Sequence, residues 1–335
     1  MATLAASVLT LADWAKRLDP QGKVPTIVEL LSQTNEILTD MLFMEGNLPT
    51  GHRTVVRTGL PTVAWRLLNQ GVTVSKSTTA QIDEACGMLE AWSEVDCELA
   101  KLGGNEASFR LSEAQAFLEA MNQEMAQTLF YGNSGLAPEE FTGLATRYST
   151  ISGATNGSNV IDGGGSGSDN SSVWLIVWGG QTVHGIFPKG SKAGLEHIDL
   201  GETTVGDTGT GGAGTRMRVY QDQFKWKCGI ALRDWRYAVR ICNIDISNLV
   251  SKSSAADLIE LMIKAIYRLP SLSMGRAAFY MNRSCKEMLD IQKRDDVISG
   301  AGLTYDNADG KPVMSFRGIP VRTVDQLTEA ESRVT

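Results

Sequence analysis

The chain has 335 residues, with 31 Lys and Arg against 38 Asp and Glu for a net charge of −7, and is 42% hydrophobic and 21% charged. That excludes a disordered polypeptide, leaves room for about two domains with a sizeable core, and argues against a nucleic-acid reader, which carries a basic surplus. Five scattered cysteines without a C-x-x-C pair read as buried thiols in a reducing compartment, not a disulfide framework.

No basic residue precedes the apolar stretch at the N-terminus, so no secretory signal is expected. No apolar run approaches the ~20 residues that span a bilayer, so no membrane partner is expected. Residues 26–45 are predicted as a helix, with Ile27, Leu30, Leu31, Leu38, Met41 and Leu42 on one face between Pro25 and Gly46. Residues 51–80 are rich in Thr, Val and Arg, broken at Gly59-Leu-Pro61 and Asn69-Gln-Gly71. They read as a long extended hairpin that buries little within its own subunit.

The clearest helix is 112–130. Ser112 and Gln115 form a capping box, and Ala114, Leu118, Met121, Met125 and Leu129 form an apolar stripe. At 1.5 Å per residue it is a rod of about 28 Å. Residues 149–172 are predicted as a flexible polar loop, and 173–178 as a buried strand. A second glycine-rich loop occupies 201–214, and 216–242 carries a two-strand pattern. Residues 254–269 form an amphipathic helix with Ser254 and Asp257 placed to cap it. A strand near 277–281, a helix near 284–293 and a hairpin (312–316 and 319–323, turning at Arg317-Gly318) close the chain. The mixture is α+β, without regular βαβ alternation.

The search for chemistry finds little. Residues 209–214 spell G-x-G-x-x-G, but a polar loop precedes them and a strand follows, whereas pyrophosphate binding needs a strand before and a helix N-terminus after. The phosphate-loop likeness of 185–192 has its G-K-[ST] order scrambled. His52, His184 and His197 show no zinc spacing, and no G-x-S-x-G elbow exists. No catalytic residue, cofactor or metal site is expected. A long underburied hairpin, a rod helix and glycine-rich loops describe a component that gains its missing burial from neighbours.

The order of elements then becomes recognisable. The helix ending in Tyr131-Gly132-Asn133, followed by Phe141-Thr-Gly143-Leu144, resembles major capsid proteins of tailed bacteriophages with the Hong Kong 97-like fold. So does the run Phe224, Trp226, Gly229, Asp234, Arg236, Arg240, Ile241, Asn243 and Ile244. The closing Phe316-Arg-Gly318-Ile-Pro320-Val321 with Asp325 is a third such stretch. The resemblance implies an N-terminal arm (1–50), an E-loop (51–80), and a peripheral domain (81–141 and 311–335) built on the spine helix 112–130. An axial domain (142–310) completes it, with the placement of 216–245 left open.

It further implies a non-enzymatic shell subunit. Such subunits self-assemble into hexamers and pentamers of an icosahedral head that encloses double-stranded DNA without sequence-specific binding. They are built in the host bacterial cytoplasm and reside in the virion. No long charged helical segment precedes residue 50, which suggests a separate scaffolding protein or a fused one absent from this chain; a portal and a decoration or cement protein are further implied partners. The rival readings are an encapsulin-type nanocompartment shell, and a soluble enzyme using the 201–214 loop. Within 51–80, Arg53, Arg57, Arg66 and Lys76 give four positive charges and no acidic residue. With Trp65 and Leu67 as apolar anchors, these six are the expected assembly-interface residues.

Overall fold

The computed structural model describes residue 9 and residues 32–102, 105–153, 155–206, 216–252, 255–295, 303–308 and 311–335. Most of the expected N-terminal arm, Ser254 and the G-x-G-x-x-G run at 209–214 lie outside the described residues. Among the described residues the strands are β1 (Phe43–Glu45), β2 (Gly51–Gly59), β3 (Thr78–Ala85), β4 (Gly87–Asp96), β5 (Val160–Asp162), β6 (Asn170–Trp178) and β7 (Val183–Phe187). They continue as β8 (Leu195–Gly206), β9 (Arg216–Leu232), β10 (Ala238–Asp245), β11 (Arg276–Met281), β12 (Leu303–Ala308), β13 (Lys311–Phe316) and β14 (Ile319–Thr323). The helices are α1 (Ile37–Asp40), α2 (Cys97–Lys101), α3 (Glu106–Tyr131), α4 (Leu144–Arg147), α5 (Ile246–Ser251), α6 (Leu258–Arg268) and α7 (Arg283–Asp295).

The chain forms two compact units. One comprises the described residues within 1–33, 88–125 and 194–227; the other comprises those within 34–87, 126–193 and 228–335. These are not the boundaries expected from sequence. The closing segment 311–335 belongs with the strands of the expected axial domain, because β14 pairs parallel with β11, Phe279 opposite Val321. The segment left open, 216–245, divides within β9 between Lys227 and Cys228.

In the larger unit β6 is the organising strand. All nine of its residues are buried, and it is flanked by antiparallel β11 and β10. Val173-Trp-Leu-Ile-Val-Trp178 supplies the continuous apolar run that burial on both faces requires. Beyond β10 lies parallel β5, and beyond β11 lie β14 and β13. Helix α6 packs on β10 and against α7. Its start is capped by Asp257, whose side chain accepts from the Glu260 N–H at 2.9 Å. The closing hairpin turns where expected: Arg317 (φ 51°) and Gly318 (φ 80°) both take the left-handed conformation of a type I′ turn.

In the smaller unit the apolar core gathers Val95, Cys97, Ala100, Phe109 and Tyr220, with Leu9 packed against it. Phe117 of α3 stacks on Phe224 of β9, ring centroids 6.1 Å apart. Arg110 of α3 reaches Asp199 at 2.7 Å and Asp222 at 3.0 Å. Within this unit the helix covers one face of the β8–β9 ribbon.

Several local expectations are corrected. The rod helix starts at Glu106, not Ser112. The Asn105 side chain accepts from the Ser108 N–H at 3.2 Å at its start, while Ser112, inside the helix, donates its hydroxyl to the Phe109 carbonyl. Met121, Met125 and Leu129 are buried as expected, but Leu118 is exposed. Of the expected helix at 26–45, the described part holds only α1. The chain then extends into β1, because Phe43–Glu45 finds a parallel partner in β7, and pairing with a sheet overrides a modest local helix preference. The polar loop at 149–172 is packed, not loose: it contains a 3-10 turn and β5, and the Gly163 and Gly165 N–H groups donate to the Cys242 and Asn243 carbonyls. The glycine-rich stretch from 201 begins as part of β8, not as loop.

Candidate assembly surface

The expected hairpin exists and is longer than the sequence suggested. β2 and β3 pair antiparallel from Gly51 opposite Ala85 to Gly59 opposite Thr78, forming a two-stranded ribbon separate from the main sheet. The second strand therefore runs past residue 80 and brings in Asp83 and Glu84. Residues 60–77 cap the ribbon without strand structure.

The root of the ribbon is fastened by charge and hydrogen bonds. Arg147 grips Glu84 with two parallel contacts of 2.5 and 2.6 Å, and donates again to the Thr142 carbonyl at 3.1 Å. The pair is nearly buried, and a bidentate guanidinium–carboxylate contact fixes orientation as well as distance. Asn47 brackets Arg53, accepting from its N–H and donating to its carbonyl, both at 2.7 Å.

The six expected interface residues fall into different situations. Arg53 forms a bidentate pair with Asp83 across the ribbon, at 2.6 and 2.7 Å. Its guanidinium holds the Asp83 carboxyl below the usual range. Arg53 is therefore engaged inside the hairpin, an outcome hidden while the second strand was taken to stop at 80. Arg57 lies on the shaft opposite Thr79. Arg66 bends back to donate to the Gln70 carbonyl at 2.7 Å. Arg57, Arg66 and Lys76 have no carboxylate partner among the described residues. Trp65 is fully exposed and Leu67 two-thirds exposed. Leu60, Val63, Leu68 and Val74 join them, all strongly exposed. An apolar cluster of this size on a protruding element marks a surface that something else covers.

The sequence reading missed a second surface, in the smaller unit. Along β4, Met88, Glu90, Trp92 and Glu94 point alternately to one face. Gln221 of β9 donates to Glu94 at 2.9 Å, Gln223 donates to Glu90, and Ile198 of β8 stands opposite Gln223. All these residues therefore share a face. Met88, Trp92 and Ile198 are exposed on it between the carboxylates of Glu90 and Glu94. Period-two alternation in 87–94 was the available signal.

The residues that carried the family likeness turn out to be joints. After α3, a Cβ on Gly132 would lie 2.4 Å from the Phe141 carbonyl, and one on Gly143 would lie 2.6 Å from that of Thr128. Only glycine permits that approach. Arg240 and Glu331, each about 5% exposed, pair at 2.8 Å. Ser172 bonds both of them, and Tyr131 donates to Glu331 at 2.5 Å. Arg240 also lies over the Trp174 ring. Asn243 exchanges two hydrogen bonds with Val334, at 2.8 and 2.9 Å. Together these contacts stitch the C-terminal segment to β6 and β10. Four of the five cysteines are buried, and burial pushes the Cys228 and Cys285 thiols up to about 12.

A ribbon whose apolar tip is uncovered among the described residues, beside a sheet built on one buried strand, is what a subunit completed by neighbouring copies presents. Residues 19–335 match the family described as major capsid protein GP7. A chain of the bacteriophage Epsilon15 structure is 33% identical, with a TM-score of 0.79, covering 100% of this chain and 99% of its own. The bacteriophage JBD30 capsid is more distant, at 10% identity and a TM-score of 0.49 over 96% of this chain and 100% of its own. The holo-SrpI encapsulin complex of Synechococcus elongatus PCC 7942 matches at 11% identity and a TM-score of 0.44 over 70% and 96% of the two chains. No curated protein matches.

The chain belongs to the major capsid protein GP7 family: it is a tailed-phage major capsid protein with an α+β capsid fold, a structural subunit used in many copies in the virion shell.

Proposed function

We propose that the ribbon 51–85 is the intersubunit strap of this shell. Its apolar tip and the cations Arg57, Arg66 and Lys76, which have no carboxylate partner among the described residues, settle on the acidic, partly apolar sheet face of a neighbouring copy, around Met88, Glu90, Trp92 and Glu94. The observation that carries this reading is the exposed apolar cluster from Leu60 to Val74, accompanied by Arg57, Arg66 and Lys76, in an acidic chain. Burial of that cluster supplies the driving force, and guanidinium–carboxylate pairing supplies register, since Arg binds carboxylates with a planar fork.

In this reading the smaller unit is the peripheral domain and the larger unit the axial domain of hexamers and pentamers in an icosahedral head. Repeated interfaces of this kind close only under symmetry. A separate scaffolding protein guides assembly in the host cytoplasm, a portal occupies one vertex, and a decoration protein reinforces the exterior. The head encloses double-stranded DNA without sequence-specific contacts, and an acidic subunit limits tight local trapping of phosphates.

The test is the double variant Arg57→Glu/Arg66→Glu. It should fold as the parent does, by circular dichroism and thermal melting, and fail to form shells or capsomers in the presence of scaffold. Breaking desolvated interfacial charge pairs costs about 2–5 kcal/mol each. Normal assembly of the variant would reduce Arg57 and Arg66 to solvated surface charges.

A further inference from the structure

His52 and His184 meet at the root of the ribbon, edge to face, with ring centroids 5.8 Å apart. His184 lies on β7 with no exposed surface, and neither of its ring nitrogens meets a protein partner in full hydrogen-bonding geometry, although the Gly179 backbone weakly favours a proton on the ring. Such a ring is tolerated inside a protein only while neutral, because an unpaired buried charge is far costlier than an unpaired buried dipole. His52 sits on β2 opposite Glu84. Its Nδ1 accepts the Asn47 N–H at 3.3 Å, which requires that nitrogen to be unprotonated.

The charged groups facing the pair come from three other elements. Arg233, just beyond β9, is held by the Gly180 carbonyl at 2.8 Å and repels a proton on either ring. Glu84 on β3 attracts one to His52, but its carboxylate is already gripped by Arg147 of α4. A second and third positive charge would thus arise beside Arg233 with one committed carboxylate to balance them.

We propose that the His52–His184 pair is a proton-sensitive joint, which holds the root of the ribbon closed while both rings are neutral and releases it on acidification. Opening the root lets water reach His184 and gives the Asn47 N–H a solvent partner. The sign follows from linkage. Burial, chiefly, lowers His184 from its ordinary 6.5 to about 4, and His52 is lowered as well. Closure is at full strength above about pH 6.5, weakens as the pH falls below it, and has lost the whole His184 contribution by about pH 4. At pH 5 His184 alone shifts the closed–open equilibrium roughly thirtyfold toward open.

The device belongs to the isolated subunit and does not depend on where the tip docks, so its failure and failure of the strap reading are separable. The experiment is amide hydrogen exchange on the free full-length chain at pH 7.5 and 5, corrected for intrinsic rates and read by peptide mass spectrometry. Exchange at the imidazole C2 position reports the histidine titrations in the same samples. The expected result is a roughly thirtyfold loss of protection in β2 and β3 with β6 unchanged, a His184 midpoint well below 6.5, and a flattened dependence in His184→Leu. If that variant fails to fold, the wild-type measurements decide. Root protection that stays constant, a His184 midpoint at 6.5, or a His184→Leu chain with undiminished pH dependence would each overturn the joint.

Discussion

The strand β6 and the tip of the ribbon are both rich in bulky apolar residues, yet they stand at opposite ends of the range of burial. Trp174, Leu175, Ile176 and Val177 have no exposed surface, whereas Val63, Trp65 and Val74 are exposed almost completely. Around β6 even the charges are completed within the chain, Arg240 with Glu331 and both with Ser172. Around the tip, Arg57, Arg66 and Lys76 carry charges that no carboxylate among the described residues meets. The lesson is that apolar composition does not distinguish a core from an interface. The distinction lies in whether the rest of the chain supplies a second layer: α6 and α7, packed on β10 and β14, do so for the large sheet, and nothing among the described residues does so for residues 60–77.

Mutations should divide along that line. The largest loss of stability is expected for Arg240→Ala, which leaves Glu331 buried with an uncompensated charge. Removing one member of such a pair costs about 3–5 kcal/mol, to be read from urea unfolding of the free subunit. The double variant Arg240→Ala/Glu331→Ala should lose much less than the two single losses added together, since they share one interaction. Next comes Met121→Ala, at roughly 2–5 kcal/mol for a buried large-to-small change. Its helix neighbour Leu118→Ala should stay near 0.5 kcal/mol, as for an exposed position. If Leu118 proved as costly as Met121 in the isolated subunit, the rotation of this helix would be wrong. The smallest effect belongs to Asp83→Ala. The exposed pair with Arg53 is worth about 0–1 kcal/mol, and thermal melting should scarcely register its loss.

Much of the fold was legible because it is written in local chemistry. The continuous run at 173–178 could only be a strand buried on both sides, and the stripe Met121, Met125, Leu129 could only be a packed helix. Arg317-Gly318 announced its turn through the glycine. What stayed hidden depends on partners distant in the chain. Residues 41–45 looked helical until β7 offered a parallel edge. Asp83 and Glu84 lay beyond the expected end of the hairpin until register set Asp83 opposite Arg53 and the fold brought Arg147 to Glu84. Of the exposed apolar surface, the part at the tip was legible through Trp65 and Leu67, which are indeed exposed. The face of β4 was not, because Met88 and Trp92 share it with Ile198, more than a hundred residues away. His184 offered the sequence reading nothing beyond a missing zinc spacing, and only its full burial beside His52 marks it as something else.

The central claim is that the ribbon tip is covered by another copy, on the sheet face of its smaller unit. The most direct measurement places a photo-crosslinking amino acid at Trp65, irradiates free subunits and assembled shells, and maps the products by mass spectrometry, with isotopically mixed chains to separate links within and between copies. The account predicts crosslinks between copies to the 88–94 and 196–200 segments, present in shells and absent from free subunits. Crosslinks confined to the same chain, or shells in which position 65 reacts only with solvent, would contradict it.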